Sequence, residues 1–193
     1  NVFWTLTNGS EWLPSRSNYM PTKTHLISNG AIIQDTWVFI DEETPLEDTP
    51  SIISLERLKS EADSLRSRNA ELGVVIRTDS EGKTKLGEDV RELSPYLDML
   101  STIVIDFPFY RNGRGYSDAR ILREEMGFDG ELRAIGEVLF DQWSFMARCG
   151  FNSFEVDASI PIDTFNKALN ELSEAYQPAV DNQRGVLWRR HGL

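Results

Sequence analysis

The sequence predicts an α/β fold of repeated strand–helix units on a mostly parallel sheet, either a partial barrel or an open doubly wound arrangement. Three observations predict it. Apolar runs of strand length alternate with amphipathic runs of helix length through the middle of the chain. Ile103-Val104-Ile105 is an unbroken apolar run, the mark of a strand buried on both faces. The connections are short and rich in glycine, as βα and αβ loops are. About five units are too few for a closed eight-stranded barrel of ~250 residues.

The elements follow in order. Ala31–Ile40 holds two short β-like runs around Gln34–Thr36, read as a hairpin or edge pair. Residues 42–50 form an acidic, proline-containing loop. Ser54–Ala70 repeats Leu55, Leu58, Ala62 and Leu65 at helical spacing. Leu72–Ile76 is a strand and Gly82–Gly87 a turn. Glu88–Leu100 is expected to be a helix broken near Pro95. Thr102–Phe107 is the buried strand. Ser117–Met126 is helical, closed by Gly127 and Gly130. Glu131–Ile135 is a strand, Glu137–Cys149 a helix, Phe151–Val156 a strand. Ile162–Ala175 is a helix with Ile162, Phe165, Leu169 and Leu172 inward.

The domain boundaries follow from where this rhythm starts and stops. Residues 1–23 are expected to form a weakly ordered extension, 24–178 a single α/β domain, and 179–193 a polar, basic tail. Residue 1 is Asn, and Met20 is a candidate start; residues 1–19 lack the basic head and apolar stretch of a secretory signal. The expected location is cytoplasmic.

Composition excludes several function classes. The 20 Lys+Arg against 31 Asp+Glu give a net charge of −11. That balance disfavours nucleic acid as a partner and attraction to an anionic membrane. No apolar run approaches the ~20 residues that span a bilayer. Cys149 is the single cysteine and His25 and His191 the only histidines. No four-cysteine metal or cluster site can be built from this chain, so no covalent or protein-ligated metal cofactor is expected, and the cofactor stays unknown. Cys149 shares a helical stripe with Leu139, Gln142/Trp143 and Met146 and reads as a buried small hydrophobe rather than a nucleophile.

Ligands of parallel sheets bind at the carboxyl ends of the strands. There the segment 106–117 is the richest in chemistry: Asp106, then Arg111, Gly113, Arg114, Gly115, Tyr116 and Ser117. The glycines permit unusual backbone angles, Ser117 stands where a helix N-cap is expected, and two guanidinium groups flank the turn. Free N–H groups at a helix start beside two arginines would hold phosphate, sulfate, sulfite or carboxylate. A bland reading stands beside it, in which the turn only turns and the arginines pair with Asp106, Asp118 or Glu137. G-R-G-Y-S-D-A is a loose echo of the dinucleotide fingerprint, with its third small residue one place late at Ala119.

Arginine usage singles out the same region. Residues 111–148 hold six arginines, no lysine and seven acids. Arg120 and Arg133 are supporting candidates, whereas Arg123 and Arg148 read as structural partners. Glu137 begins the next expected helix with Asp141 four residues on, which puts two carboxylates on one face as an acid/base pair, and Gln142 supports them.

One collinear pattern carries a resemblance. F-P-x-[FY]-x-[DN]-G-R-G-Y-S-x-A-R-x-L-R-E at Phe107–Glu124 is followed by G-E-L-R-A-I-G at Gly130–Gly136, D-Q at Asp141-Gln142 and R-C-G-F at Arg148–Phe151. It resembles the bacterial family catalogued as domain of unknown function 934, from about Thr24 to Pro178. Asn112 and the Glu137/Phe140 pair depart from that family's usual form. The family's genes often stand beside those of the sulfite reductase haemoprotein and the adenylylsulfate-type reductase, and some members carry the loose label oxidoreductase. The resemblance therefore implies a role in assimilatory sulfite reduction, with the haemoprotein or a related sulfur-assimilation enzyme as partner.

Three functions are carried forward. The first is an accessory protein of assimilatory sulfite reduction that binds a partner or a small anionic metabolite through the Arg/Gly-rich loop. The second is a small barrel-like enzyme in which arginine clamps an anionic substrate and Glu137 or Asp141 moves the proton. The third is a purely structural subunit.

Overall fold

The structure, a computed structural model, describes residues 24–80, 85–108, 113–170 and 180. The expected extension 1–23 and all of the tail except Val180 lie outside the described residues, as do Arg111 and the end of the last expected helix.

Among the described residues, ten strands and four α-helices are formed. The strands are β1 Thr24–Ser28, β2 Ala31–Ile33, β3 Val38–Phe39, β4 Ser51–Ser54, β5 Leu72–Arg77, β6 Asp79–Ser80, β7 Lys85–Leu86, β8 Thr102–Phe107, β9 Glu131–Gly136 and β10 Ser153–Asp157. The helices are α1 Leu55–Leu65, α2 Arg114–Arg120, α3 Trp143–Cys149 and α4 Ile162–Asn170. β6 and β7 form a separate two-stranded ribbon. The other eight make one sheet in the order β2-β1-β10-β9-β8-β5-β4-β3.

From β3 to β10 the strands are parallel and each lies beside its predecessor in the sheet. The order never reverses, so there is no doubly wound switch point. Right-handed crossovers that all step the same way put every helix on one face. Of the two arrangements the sequence allows, the partial barrel is the one formed.

The curl of the sheet follows from chain length. β2 and β3 are the two outer edges, yet only residues 34–37 join them. Five peptide steps reach at most about 18 Å. A flat eight-stranded sheet would hold its edges about 34 Å apart. The sheet must curl into a half-barrel for so short a strap to close the circuit. The strap crosses the concave face, where Trp37 and Phe39 pack on buried Ile52, Val75, Val104 and Ile135.

The expected hairpin around Gln34–Thr36 is thus corrected: the two runs lie at opposite edges. The real hairpin is β1–β2, turned by Asn29 and Gly30 at φ 50° and 79°. Asn-Gly with both residues left-handed is the turn whose twist suits a two-residue hairpin.

The convex face carries the main core. Ile53, Val74, Ile76, Ile103, Ile105, Phe107, Leu132, Ala134, Phe154 and Val156 alternate along the strands to face Leu58, Leu65, Leu122, Trp143, Met146 and Phe165 from the helices. Ile103 and Ile105 are fully buried; each such side chain contributes roughly 1.5–3 kcal/mol. α1 starts one residue later than expected because Ser54 Oγ caps it, accepting from the Arg57 N–H at 3.0 Å. Residues 90–99 wind as a 3₁₀-helix through Pro95 rather than as a broken α-helix. Among the described residues no helix is long and apolar enough to cross a membrane.

Candidate functional site

At the carboxyl end of β8 the helix begins three residues earlier than expected. α2 starts at Arg114 with Gly113 before it, and among the described residues no side-chain cap bond closes that end. Ser117 is therefore not an N-cap; it lies exposed inside the helix. Neither glycine is used for its backbone freedom. Gly113 sits at φ −72°. Gly115 is buried because α2 lies directly on β8: a Cβ there would fall 2.5 Å from the Phe107 ring. The helix continues through a π-turn at Ile121–Glu125.

Arg114 and Asp118 are one helical turn apart on the same side. Asp118 is 6% exposed, and its Oδ2 accepts no hydrogen bond from the described residues. Burial raises its carboxyl to about 6 against the pull of Arg114. Tyr116 stacks between Phe107 and Phe145, with ring centroids 5.4 and 5.2 Å away. Burial foremost, then Cys149 and Asp141, raises the Tyr116 phenol.

Glu137 and Asp141 do not share a helix. Gly136 at φ +90° ends β9 in a turn that only glycine adopts at ease, and the Glu137 N–H donates to the Phe107 carbonyl at 2.8 Å. Residues 140–142 form a 3₁₀ turn, and α3 starts only at Trp143. The expected i,i+4 pair is corrected accordingly: Glu137 belongs to the strand-end turn, Asp141 to the exposed 3₁₀ turn. Gln142, which precedes α3, donates its N–H to Leu139 O at 3.0 Å. Cys149 is buried, with its thiol raised by that burial, as its apolar stripe predicts.

The remaining arginines separate by role. Arg120 pairs with Glu124 on the exposed helix surface. Arg123 is a structural clamp: it donates to the carbonyls of Gly150 and Gly130, each at 3.0 Å, and to that of Phe128. Arg133 is 0% exposed in the middle of the concave face, held by Asp35 at 2.8 Å and Glu131 at 3.0 Å.

The concave face holds the groups that sequence reasoning underrated or missed. β5, β8 and β9 align Arg77 with Asp106 and Asp106 with Ile135. β10 aligns Ser153 with Arg133, so Glu155 comes up one layer higher, beside Ile135. Asp106 is 3% exposed, and burial raises its carboxyl to about 7, against Arg77 and with Glu155 and Glu88 repelling it. Burial also raises Glu155 and Glu88. Glu88 accepts from the Arg77 N–H at 2.7 Å. The legible signal was ionisable residues within or at the ends of apolar strands, at the parity that faces the concave side: Arg77, Asp106, Arg133 and Glu155.

The described part of the site thus brings Asp106, Phe107 and Gly136 together, sets Arg114 within electrostatic reach of Asp118 and Asp141 within that of Tyr116, and leaves Arg120 in a surface pair with Glu124. Among the described residues no three carboxylate, imidazole or thiolate groups are placed to hold a metal ion. Of the curated proteins, none matches the chain. One family model matches residues 83–187, more than half of the chain, and covers β8, α2, β9, α3, β10 and the site they carry. On that match the chain belongs to the family described as bacterial protein of unknown function (DUF934).

Proposed function

We propose that this protein is a cytoplasmic accessory factor of assimilatory sulfite reduction, which engages the sulfite reductase haemoprotein or a small oxyanion through residues 106–117. The supporting observation is the placement of Arg114 as the first residue of a helix at the carboxyl end of β8 whose start no side chain of the described residues caps. A helix start with no side-chain cap offers N–H donors to an oxyanion, and a guanidinium beside it adds a bidentate charge. The test is genetic and physical together. A clean deletion should fail to grow on sulfate yet grow on cysteine, and the tagged protein should co-purify with the haemoprotein. Normal growth of the deletion on sulfate would count decisively against this reading.

An enzymatic reading has one specific observation in its favour: Asp106 is a buried carboxyl that titrates near neutrality at the carboxyl end of a parallel strand. It takes the acid/base role in place of the exposed Asp141. Loss of turnover in Asp106→Asn with the fold intact is its expected mark.

A further inference from the structure

We propose that this protein forms a symmetric dimer in which β2 of one copy pairs antiparallel with β2 of a second copy, joining the two half-barrel sheets into one. This surface lies four strands away from β8 and its helix start. It does not depend on the function proposed above, and it leaves that site open in both copies.

The first ground is an edge that the fold leaves unprotected. β2 ends the sheet, and among the described residues no strand lies on its outer side. Ala31, Ile32 and Ile33 are all exposed, the two isoleucines by 47% and 42%. Sheets blunt such an edge with lysine, proline, a bulge or a covering loop. Ser28–Gln34 carries no charge and no proline. An apolar edge of this kind is a template for another strand.

Hydrogen bonding points the same way. Asn29 and Gly30 form a two-residue turn, so Ser28 and Ala31, which flank it, exchange ladder bonds with each other. The next pair, Ile27 and Ile32, falls between bonds. Ile32 therefore turns its N–H and C=O away from β1, toward the open edge. Those groups are the donor and acceptor that an added strand takes.

The occupant follows from charge and symmetry. A two-fold axis through a strand edge sets each residue opposite its own kind or a near neighbour, so a charge on that edge would meet its own sign. β2 has no charge to oppose its copy. The other edge, β3, runs straight into residues 41–48 with five acids, and two copies joined there would set acid against acid. With the axis at Ile32, the two copies of Ile32 exchange both hydrogen bonds, and Ile33 of each packs beside Ala31 of the other. α4 lies along the same hairpin: a Cβ on Gly30 would stand 3.0 Å from Asn166 Oδ1. Its exposed Asp163 and Lys167 are one turn apart, so two antiparallel copies bring acid toward base.

Three residue pairs make a small interface, so micromolar affinity is expected. Sedimentation equilibrium of the full chain over about 5–300 µM should show a mass rising with concentration from 22.0 kDa toward twice that value. Over the same range the Ile32 amide hydrogen should exchange several-fold more slowly as concentration rises, while that of Val38, already donated to the Pro50 carbonyl, should not change. Ile32→Lys and Ile32→Glu each set like charges opposite one another and should weaken the dimer at least about tenfold. Mixed in equal amounts, the two variants should recover a mixed dimer. Wild-type chain that stays at 22.0 kDa throughout overturns the proposal, and an edge covered by another segment of the chain or kept for a different protein would show itself in that way. A dimer whose Ile32 exchange ignores concentration, or that both charged variants keep, overturns it in favour of another face. Growth past the dimer into a continuing series overturns it as well, because a two-fold pair closes.

Discussion

Asp35 and Arg133, 98 positions apart in the chain, meet at 2.8 Å on the concave face of the half-barrel. Asp35 comes from the four-residue strap between the sheet's two edges, and Arg133 from β9 near the middle of the sheet. Their contact fastens the strap across the curl. Asp35→Ala leaves Arg133 buried with Glu131 alone. Removing one partner of a buried pair costs 3–5 kcal/mol; the remaining Glu131 and the partial exposure of Asp35 reduce the expected loss to about 2 kcal/mol. Urea denaturation measures it. Arg133→Met removes the buried charge itself and should cost less than Asp35→Ala.

Asp106 gives a pH prediction whose sign is fixed. Its folded-state carboxyl is raised from 3.8 to about 7. The native state then binds the proton more tightly than the unfolded chain, so Asp106 lowers stability progressively as pH rises from about 4 to about 7, and the loss is complete above that. Asp106→Asn removes the penalty. The variant should match wild type near pH 4 and exceed it above pH 7, by at most about 4 kcal/mol at about 1.36 kcal/mol per unit. A difference that is constant across this range contradicts the assignment.

Gly115→Ala sets two effects against each other. Alanine gains about 1 kcal/mol of helix propensity over glycine. Its methyl would stand 2.5 Å from the ring of Phe107, which is 1% exposed and enclosed by Tyr116 and Phe151. Overpacking of a closed core costs about 1–3 kcal/mol. The clash wins, and thermal unfolding should show a net loss of up to about 2 kcal/mol.

Arg123→Ala releases the carbonyls of Gly150, Gly130 and Phe128 from one guanidinium. These carbonyls close the loops before β9 and β10, so the loss is structural. About 3 kcal/mol is expected, with Arg123→Lys recovering only part because one ammonium cannot fork to all three. Equilibrium unfolding of both variants checks the order.

The sequence made most of the strand–helix rhythm legible, because apolar runs such as Ile103-Val104-Ile105 have one physical use. It did not make the concave face of the sheet legible as chemistry. Asp106 and Arg133 were legible only as supporting candidates, and their common face became visible once the strands were in register. β1 was missed although Asn29-Gly30 marks its hairpin, since Thr24–Ser28 is short and half-polar. Ser117 lost its expected cap because Gly115 lets α2 press onto Phe107 and start earlier. The Glu137/Asp141 pairing failed because a left-handed Gly136 turns the chain before the helix can begin.

The central claim is that the carboxyl end of β8 and the start of α2 form a binding site and not only a turn. Calorimetric titration of sulfite into wild-type protein and Arg114→Ala tests it most directly. The account predicts saturable binding to wild type, at least about a tenfold loss in Arg114→Ala, and melting temperatures within about 3 °C of each other. No binding to wild type, or equal binding by an Arg114→Ala protein that melts much lower, would contradict it and leave Arg114 a scaffold residue.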